Sequence, residues 1–148
     1  MTQQDFLQAA VGKLTAMWPD RTAYTGPVPE GADDGFAVRV EACTQTEGLD
    51  RFRRRQARLQ IRYFLSGGDA AVWAEWAEAM CAGFRTLEAA DGAGARRVRL
   101  SDRQIQPGPE GRDCLFSCRA DWCWWEADAQ EQETMESLRQ ANQFERKG

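Results

Sequence analysis

Two stretches of alternating apolar and polar residues predict a long β-hairpin over residues 36–64. Period-two alternation over this length is typical of half-buried strands. Residues 47–50, which include a glycine, supply a four-residue turn between the two strands. The apolar residues predicted to share one face are Phe36, Val38, Val40, Ala42, Ala57, Leu59, Ile61 and Tyr63.

Near its turn the same face of the hairpin carries charged residues instead of apolar ones. Arg51, Arg53 and Arg55 share it with Thr44 and Thr46. A charged side chain is rarely buried without a partner. The hairpin end, residues 43–56, is therefore expected to run past the core as an arm. Two interpretations stay open: a solvated loop with a few arginines, and an arm that contacts another protein subunit or nucleic acid.

Apolar residues at helical spacing predict two helices that flank the hairpin in sequence. The first has Thr2 as its N-cap and stops before Pro19. The second covers residues 70–87 and has Asp69 as its N-cap. A short strand is predicted around Tyr24 and two more over 98–105 and 113–125, with a loop at 89–95. The inner face of the last strand holds Cys114, Phe116, Cys118, Ala120, Trp122 and Trp124.

These elements predict an α+β two-layer sandwich, in which two helices cover a mostly antiparallel sheet of four to five strands. The protruding β-hairpin arm and a C-terminal tail extend from it. Residues 1–126 form a single domain in this interpretation. Residues 127–148 are polar and acidic, with Met135 and Leu138 as apolar anchors. They are predicted to form a poorly ordered or partner-docked tail.

The composition weighs against most catalytic and metal sites. The chain has no histidine, which removes histidine general bases, histidine-activated nucleophiles and most catalytic zinc sites. No paired-carboxylate, Walker or dinucleotide motif is found. The five cysteines lack C-x2-C pairs and no signal peptide is visible, so reduced thiols in a cytoplasm are expected. No catalytic residue, cofactor or metal ligand is predicted.

Charge and hydropathy limit the kinds of partner. No apolar run approaches the ~20 residues that cross a membrane, so no membrane association is expected. The net charge of −4 does not attract nucleic acid to the chain as a whole. The remaining basic patch is local and consists of Arg51, Arg53, Arg54 and Arg55.

Taken in order, several segments resemble the phage tail terminator proteins of tailed phages and prophages, chiefly those of Gram-positive bacteria. Each segment is short, but together they follow the same order along nearly the whole chain. The segments are residues 17–19, 24–31, 36–40, 51–55, 61–64 and 134–138.

The resemblance implies a structural virion protein without catalytic residues. Such subunits form a ring, commonly of six, on the head-proximal end of the tail tube, where it stops tube polymerisation and joins the tail to the head connector. The implied partners are other copies of the chain, the tail tube protein, the head–tail connector protein and DNA passing through the lumen without sequence-specific contact. The implied location is the virion tail and, during assembly, the host cytoplasm. The residues predicted to bind partners are Arg51, Arg53, Arg54, Arg55, Met135 and Leu138.

Three other functions stay open from the residues alone. One is another neck or head–tail joining subunit. A second is a nucleic-acid-binding module that uses the arginine patch, and the negative net charge weighs against it. A third is a small enzyme that uses carboxylates or a cysteine, and the missing histidine and motifs weigh against that.

Overall fold

The computed structural model describes residues 1–91 and 94–125, and within them the chain is α+β. The helices are α1 (Gln3–Met17) and α2 (Ala70–Gly83). The strands are β1 (Ala23–Tyr24), β2 (Gly35–Glu47), β3 (Phe52–Phe64), β4 (Thr86–Asp91), β5 (Gly94–Pro107) and β6 (Asp113–Trp125).

The strands form one mixed sheet in the order β1-β2-β3-β6-β5-β4. β1 is parallel to β2, whereas β5 is antiparallel to both β4 and β6. The connection between β2 and β3 is too short for anything but an antiparallel pair. Arg62 contacts Asp113 and Arg55 contacts Trp122, so β3 and β6 also run in opposite directions. The prediction of four to five strands is therefore too low, and the parallel pair makes the sheet mixed.

The described residues belong to two compact units. The larger comprises Met1–Thr44 and Arg55–Trp122, and it holds both helices and most of the sheet. Among the described residues, the smaller contains Gln45–Arg54 together with Cys123, Trp124 and Trp125. The predicted boundary between a domain at 1–126 and a tail at 127–148 lies outside the described residues and stays a prediction.

Helix α1 touches both edges of the sheet, β1 at one and β4 at the other. It begins with a capping box, in which Thr2 and Asp5 each accept a hydrogen bond from the other's backbone N–H. Phe6, Ala10 and Leu14 form its buried stripe. Residues of α1 from Asp5 to Lys13 line one groove with β4, so the helix lies lengthwise beside that edge and presents only its diameter of about 10 Å toward β1. The edges of a flat sheet would lie five strand spacings apart, about 24 Å, which is too far for both to touch a helix in this position. The sheet of the larger unit thus curves around α1, which corrects the predicted two-layer sandwich.

Helix α2 ends earlier than predicted, and the chain returns at once as strand β4. The N-cap of α2 is Asp69, as the sequence indicates. The predictions that this helix continues through Leu87 and that residues 89–95 form a loop are wrong. β4 pairs with β5 in a regular register that places Leu87 opposite Val98. A strand fits here because it buries the alternate residues Leu87 and Ala89, while β5 pairs with the backbone groups along one edge of the strand.

The core lies between the helices and one face of the sheet. The centroid of the Phe36 ring lies 5.1 Å from that of Tyr63 and 6.2 Å from that of Trp76. The ring centroids of Phe6 and Trp122 are 5.4 Å apart. Both predicted inner faces are confirmed apart from their ends, since Val40 and Trp124 are half-buried and Ala42 is exposed. The buried members are Phe36, Val38, Ala57, Leu59, Ile61, Tyr63, Cys114, Phe116, Cys118, Ala120 and Trp122.

Candidate functional site

The hairpin tip, residues Gln45–Arg54 of the smaller unit, is shaped by a tight turn between β2 and β3. The backbone N–H of Gly48 donates to the carbonyl of Phe52 at 2.9 Å. A Cβ on Gly48 would lie 2.9 Å from the Phe52 ring, so a larger residue would force that ring to move. Asp50 adopts a positive φ of 58°, which turn-favouring Asp tolerates. Leu49 projects from the turn and is 91% exposed.

The predicted arginine patch is uneven. The side chain of Arg53 is only 17% exposed; its Nε lies 3.9 Å from Glu47, and its Nη1 donates to the Asp50 carbonyl at 3.3 Å. Arg55 belongs to the larger unit, where its guanidinium lies over the Trp122 ring at 5.9 Å. Arg51 is half-buried, and Arg54 is exposed. Four arginines that sequence alone treats as equivalent therefore occupy different environments. Met135 and Leu138 lie outside the described residues.

Within the larger unit and among the described residues, strand β2 has only a short strand, β1, beside one of its edges, a feature that the sequence did not reveal. In the described part of the chain, β1 pairs with β2 only at Phe36 and Ala37. Residues 41–47 of β2 are all exposed. A groove of about 450 Å³ lies on the outer face of the sheet where the chain leaves β1, lined by Tyr24 and Gly26 on one side and by Arg39, Gln60 and Arg62 on the other. The hydrogen-bonding groups at such an edge can accept another strand.

A second groove, of about 550 Å³, separates helix α1 from strand β4 at the opposite edge of the sheet. Small residues of the helix, Ala9 and Gly12, form part of its wall. Lys13 reaches across and donates from its ammonium group to the carbonyl of Thr86 at 2.7 Å. Burial lowers the pKa of Lys13, and the charge of nearby Glu88 partly offsets this shift.

A polar network fixes the segment that leads into β2. Arg21 donates from Nε to Asp34 at 2.9 Å, and Tyr63 donates from its hydroxyl to the same carboxylate oxygen at 2.7 Å. The Arg21 guanidinium also lies 4.8 Å from the centroid of the Tyr63 ring. Beside it, Ser66 donates from both its backbone N–H and its hydroxyl to Asp33, and these bonds lower the pKa of that carboxyl group. The network stabilises the loop and brings together no nucleophile with a base.

The cysteines are distributed between core and surface. Cys114 and Cys118 are buried on the inner face of β6, Cys81 is half-buried, and Cys43 and Cys123 are exposed. Burial raises the pKa of the Cys114 thiol and raises that of Cys118 to about 12. Among residues 1–91 and 94–125, no three histidine, cysteine or acidic side chains are grouped so that they could hold a metal ion. The helices in this same part of the chain are too short or too polar to cross a membrane.

The chain matches the sequence profile of a known protein family. The sequence profile described as "Phage tail terminator protein" matches residues 5–128. The matched range begins in the first turn of α1 and includes every described strand. No curated protein sequence matches the chain.

Proposed function

Because the chain belongs to the phage tail terminator family, we propose that it forms a ring on the head-proximal end of the tail tube, stops tube polymerisation and joins the tail to the head connector. Membership of this family itself implies association with tail components and a place in the virion tail. The observation that carries the proposal is the family match, which covers nearly all of the described fold. Assembly takes place in the host cytoplasm before the tail joins the head.

The proposed role is structural and not enzymatic. The family is one of tail components. The absence of histidine from the sequence removes the commonest general base and the commonest activator of nucleophiles. The polar network around Asp34 stabilises a loop of the fold, and this structural use of polar residues agrees with the role of an assembly subunit.

The proposed ring consists of six copies, and charged segments help to join them. Arg51, Arg53, Arg54 and Arg55 of one copy pair with acidic residues of the C-terminal tail of the next, while Met135 and Leu138 supply apolar contact. The acidic residues are Glu126, Asp128, Glu131, Glu133 and Glu136. Exposed ion pairs contribute only roughly 0–1 kcal/mol each, so they select orientation while apolar burial and the tube supply most of the binding free energy.

The proposed role differs from that of a nucleic-acid-binding module in two ways: how DNA is contacted, and whether the arginines can bind phosphate. DNA passes through the ring lumen without sequence-specific contact. A phosphate-binding patch needs several arginines that reach outward together, whereas Arg53 is mostly covered and Arg55 lies over an aromatic ring. The unequal exposure of the arginines therefore weighs against a phosphate-binding patch at this hairpin.

Removal of the gene from a phage or prophage genome tests the function directly. Electron microscopy of the resulting particles should show tails of irregular and excessive length that are not joined to heads. Supplying the protein from a plasmid should restore a single tail length. Tails of uniform, normal length in the absence of the protein would contradict the terminator role. Tails of normal length that fail to join heads would instead favour another neck subunit.

A further inference from the structure

The two edges of the sheet carry complementary hydrogen-bonding patterns. We propose that strand β4 of one copy adds, in parallel, to the open edge of strand β2 in the next copy, so that one sheet continues into its neighbour. This contact between copies rests on the proposed ring and names the surfaces that would form it. It joins two different edges, so it is a head-to-tail contact that closes into a ring when the rotation permits.

The free edge of β2 begins where β1 ends. The backbone N–H of Phe36 donates to Thr22 at 2.9 Å, so the polar groups of Phe36 point away from β3. Because the direction of these groups alternates along a strand, those of Val38 and Val40 point the same way. The register that places Tyr24 opposite Ala37 uses the N–H of Val38, so the groups left for another strand begin with the Val38 carbonyl and continue with Val40. In the described residues, the register with β1 stops at Ala37. The 450 Å³ groove lies beside this point on the outer face of the sheet, where Arg39 and Gln60 line it.

The free edge of β4 follows from its pairing with β5. The carbonyl of Arg85 accepts from the N–H of Leu100 at 2.9 Å, so Arg85 faces β5. The regular register continues this alternation and directs the polar groups of Thr86, Glu88 and Ala90 toward the opposite side. Lys13 satisfies the Thr86 carbonyl, and the groups of Glu88 and Ala90 border the 550 Å³ groove.

The side chains at the two edges decide the direction of pairing. On β2 the outward-bonding residues place their side chains on the inner face, as the buried Val38 shows. On β4 the outward-bonding residues place their side chains on the outer face, because Glu88 is exposed while its neighbours Leu87 and Ala89 are buried. In an antiparallel ladder, two residues that hydrogen-bond to each other have their side chains on the same face. Because the outward-bonding residues are on the inner face in β2 and on the outer face in β4, the inner face of one copy would then continue into the outer face of the next.

A parallel ladder removes this conflict. In a parallel ladder, a residue of β2 hydrogen-bonds to two residues of β4, those just before and just after the β4 residue that lies opposite it. Side chains alternate between faces along β4, so the two bonded residues lie on the other face from the residue opposite. The inner faces of the two copies then continue into each other. The added β4 would also extend the parallel ladder that β1 already begins on β2.

Charge supports a second copy of this chain as the occupant. Arg39 is exposed on the outer face of β2, where its Nε donates to Gln60. Glu88 lies on the outer face of β4, with 67% of its side chain exposed and an ion pair to Arg97 at 3.1 Å. Parallel pairing places these opposite charges on the same face of neighbouring strands, where cross-strand pairs of unlike charge are favourable.

Charge reversal in a phage genome tests the contact. Arg39→Glu and Glu88→Arg alone should each give overlong tails, at least twofold above normal in median length, because both place like charges across the contact. The double variant restores the attraction and should recover the normal length. Arg99→Glu reverses an exposed arginine one strand in from the edge, on β5, and should leave tail length unchanged. Thermal melting of each purified variant shows whether it folds, and Arg39→Gln and Glu88→Gln replace any that does not.

The outcomes separate this contact from the terminator role. If deletion of the gene gives overlong tails while both single reversals give normal ones, the edges do not join copies. The same conclusion follows if folded single variants fail and the double variant does not recover. If deletion leaves tails normal, the proposed function is wrong, and the inference that rests on it falls too.

Discussion

The hydroxyl of Tyr63 donates a 2.7 Å hydrogen bond to Asp34, and this contact joins strand β3 to the loop before β2. Asp34 has a positive φ of 52°, so the loop holds a conformation that few residues favour. Arg21 donates to the same carboxylate oxygen and lies over the Tyr63 ring. Three separate segments thus meet at one carboxylate.

Replacement of Tyr63 by Phe should lower the free energy of unfolding by about 1–2 kcal/mol, since a hydrogen bond to a charged group is lost. Chemical denaturation of the purified protein measures the change. Tyr24→Phe is the control, because its ring stacks on Phe64 and its hydroxyl makes no hydrogen bond found among the described residues. Equal effects of the two substitutions would show that the Asp34 contact does not stabilise the fold.

Alkaline pH should destabilise the protein in a defined range. Burial, and then the hydrogen bond to Asp34, raise the pKa of Tyr63 from 10.0 to about 12. Burial raises the pKa of Cys118 from 9.0 to about 12. Both folded values exceed the unfolded ones, so the stabilisation is fully present below pH 9 and is lost as the pH rises toward 12. Unfolding free energies measured from pH 8 upward should therefore stay level and then fall.

The Tyr63→Phe variant supplies the control for this pH dependence. It removes one of the two groups, so its stability should fall less steeply between pH 10 and 12. A curve that overlays that of the unsubstituted protein over this range would contradict the contribution of Tyr63.

Thiol reactivity should separate the core cysteines from those at the surface. At pH 8 a thiol reagent should label Cys43 rapidly, because it is exposed, and should leave Cys114 and Cys118 unmodified in the folded protein. In denaturant without reductant all five thiols should react, as expected for a chain without disulfides. Cys43→Ser should reduce the rapid phase by one thiol. A total of three in denaturant would reveal a disulfide.

Arg54→Glu should impair assembly without affecting the fold. Arg54 is exposed, whereas Arg51, Arg53 and Arg55 are half-buried, so Arg54 is the arginine of the four that another copy reaches most easily. The melting temperature should stay unchanged and tails should lengthen, because the lost attraction recurs at every contact in the ring. Arg112→Glu, another exposed reversal, is the control. Normal tails with Arg54→Glu would show that the hairpin tip does not join subunits.

Local pattern was sufficient for much of the fold. The alternation from Phe36 to Tyr63 reports the hairpin because its strands are half-buried, and Thr2 and Asp69 mark helix starts through capping chemistry that depends only on neighbouring residues. Strand β4 was not predicted, because local pattern does not determine its conformation. Leu87 continues the helical spacing of α2, and its strand conformation depends on pairing with β5.

The candidate surfaces depended still more on tertiary structure. The sequence identifies the arginines at 51 and 53–55 but not that Arg53 is mostly covered. The open edges of β2 and β4 follow from which strands are neighbours, and no local pattern encodes that order. Lys13 illustrates the same limit, since its partner Thr86 is 73 positions away.

The position of α1 within the curve of the sheet also bears on how the chain reaches this structure. The indole N–H of Trp122 donates to the carbonyl of Met1 at 3.2 Å across 121 positions, and α1 packs on β4. Contacts between distant positions require large loops to close first, and proteins dominated by them fold in milliseconds to seconds. Until β4 and β6 are in place, the apolar stripe of α1 lacks much of its cover. The folding subunit therefore passes through a period in which that stripe can bind a chaperone or another unfinished chain.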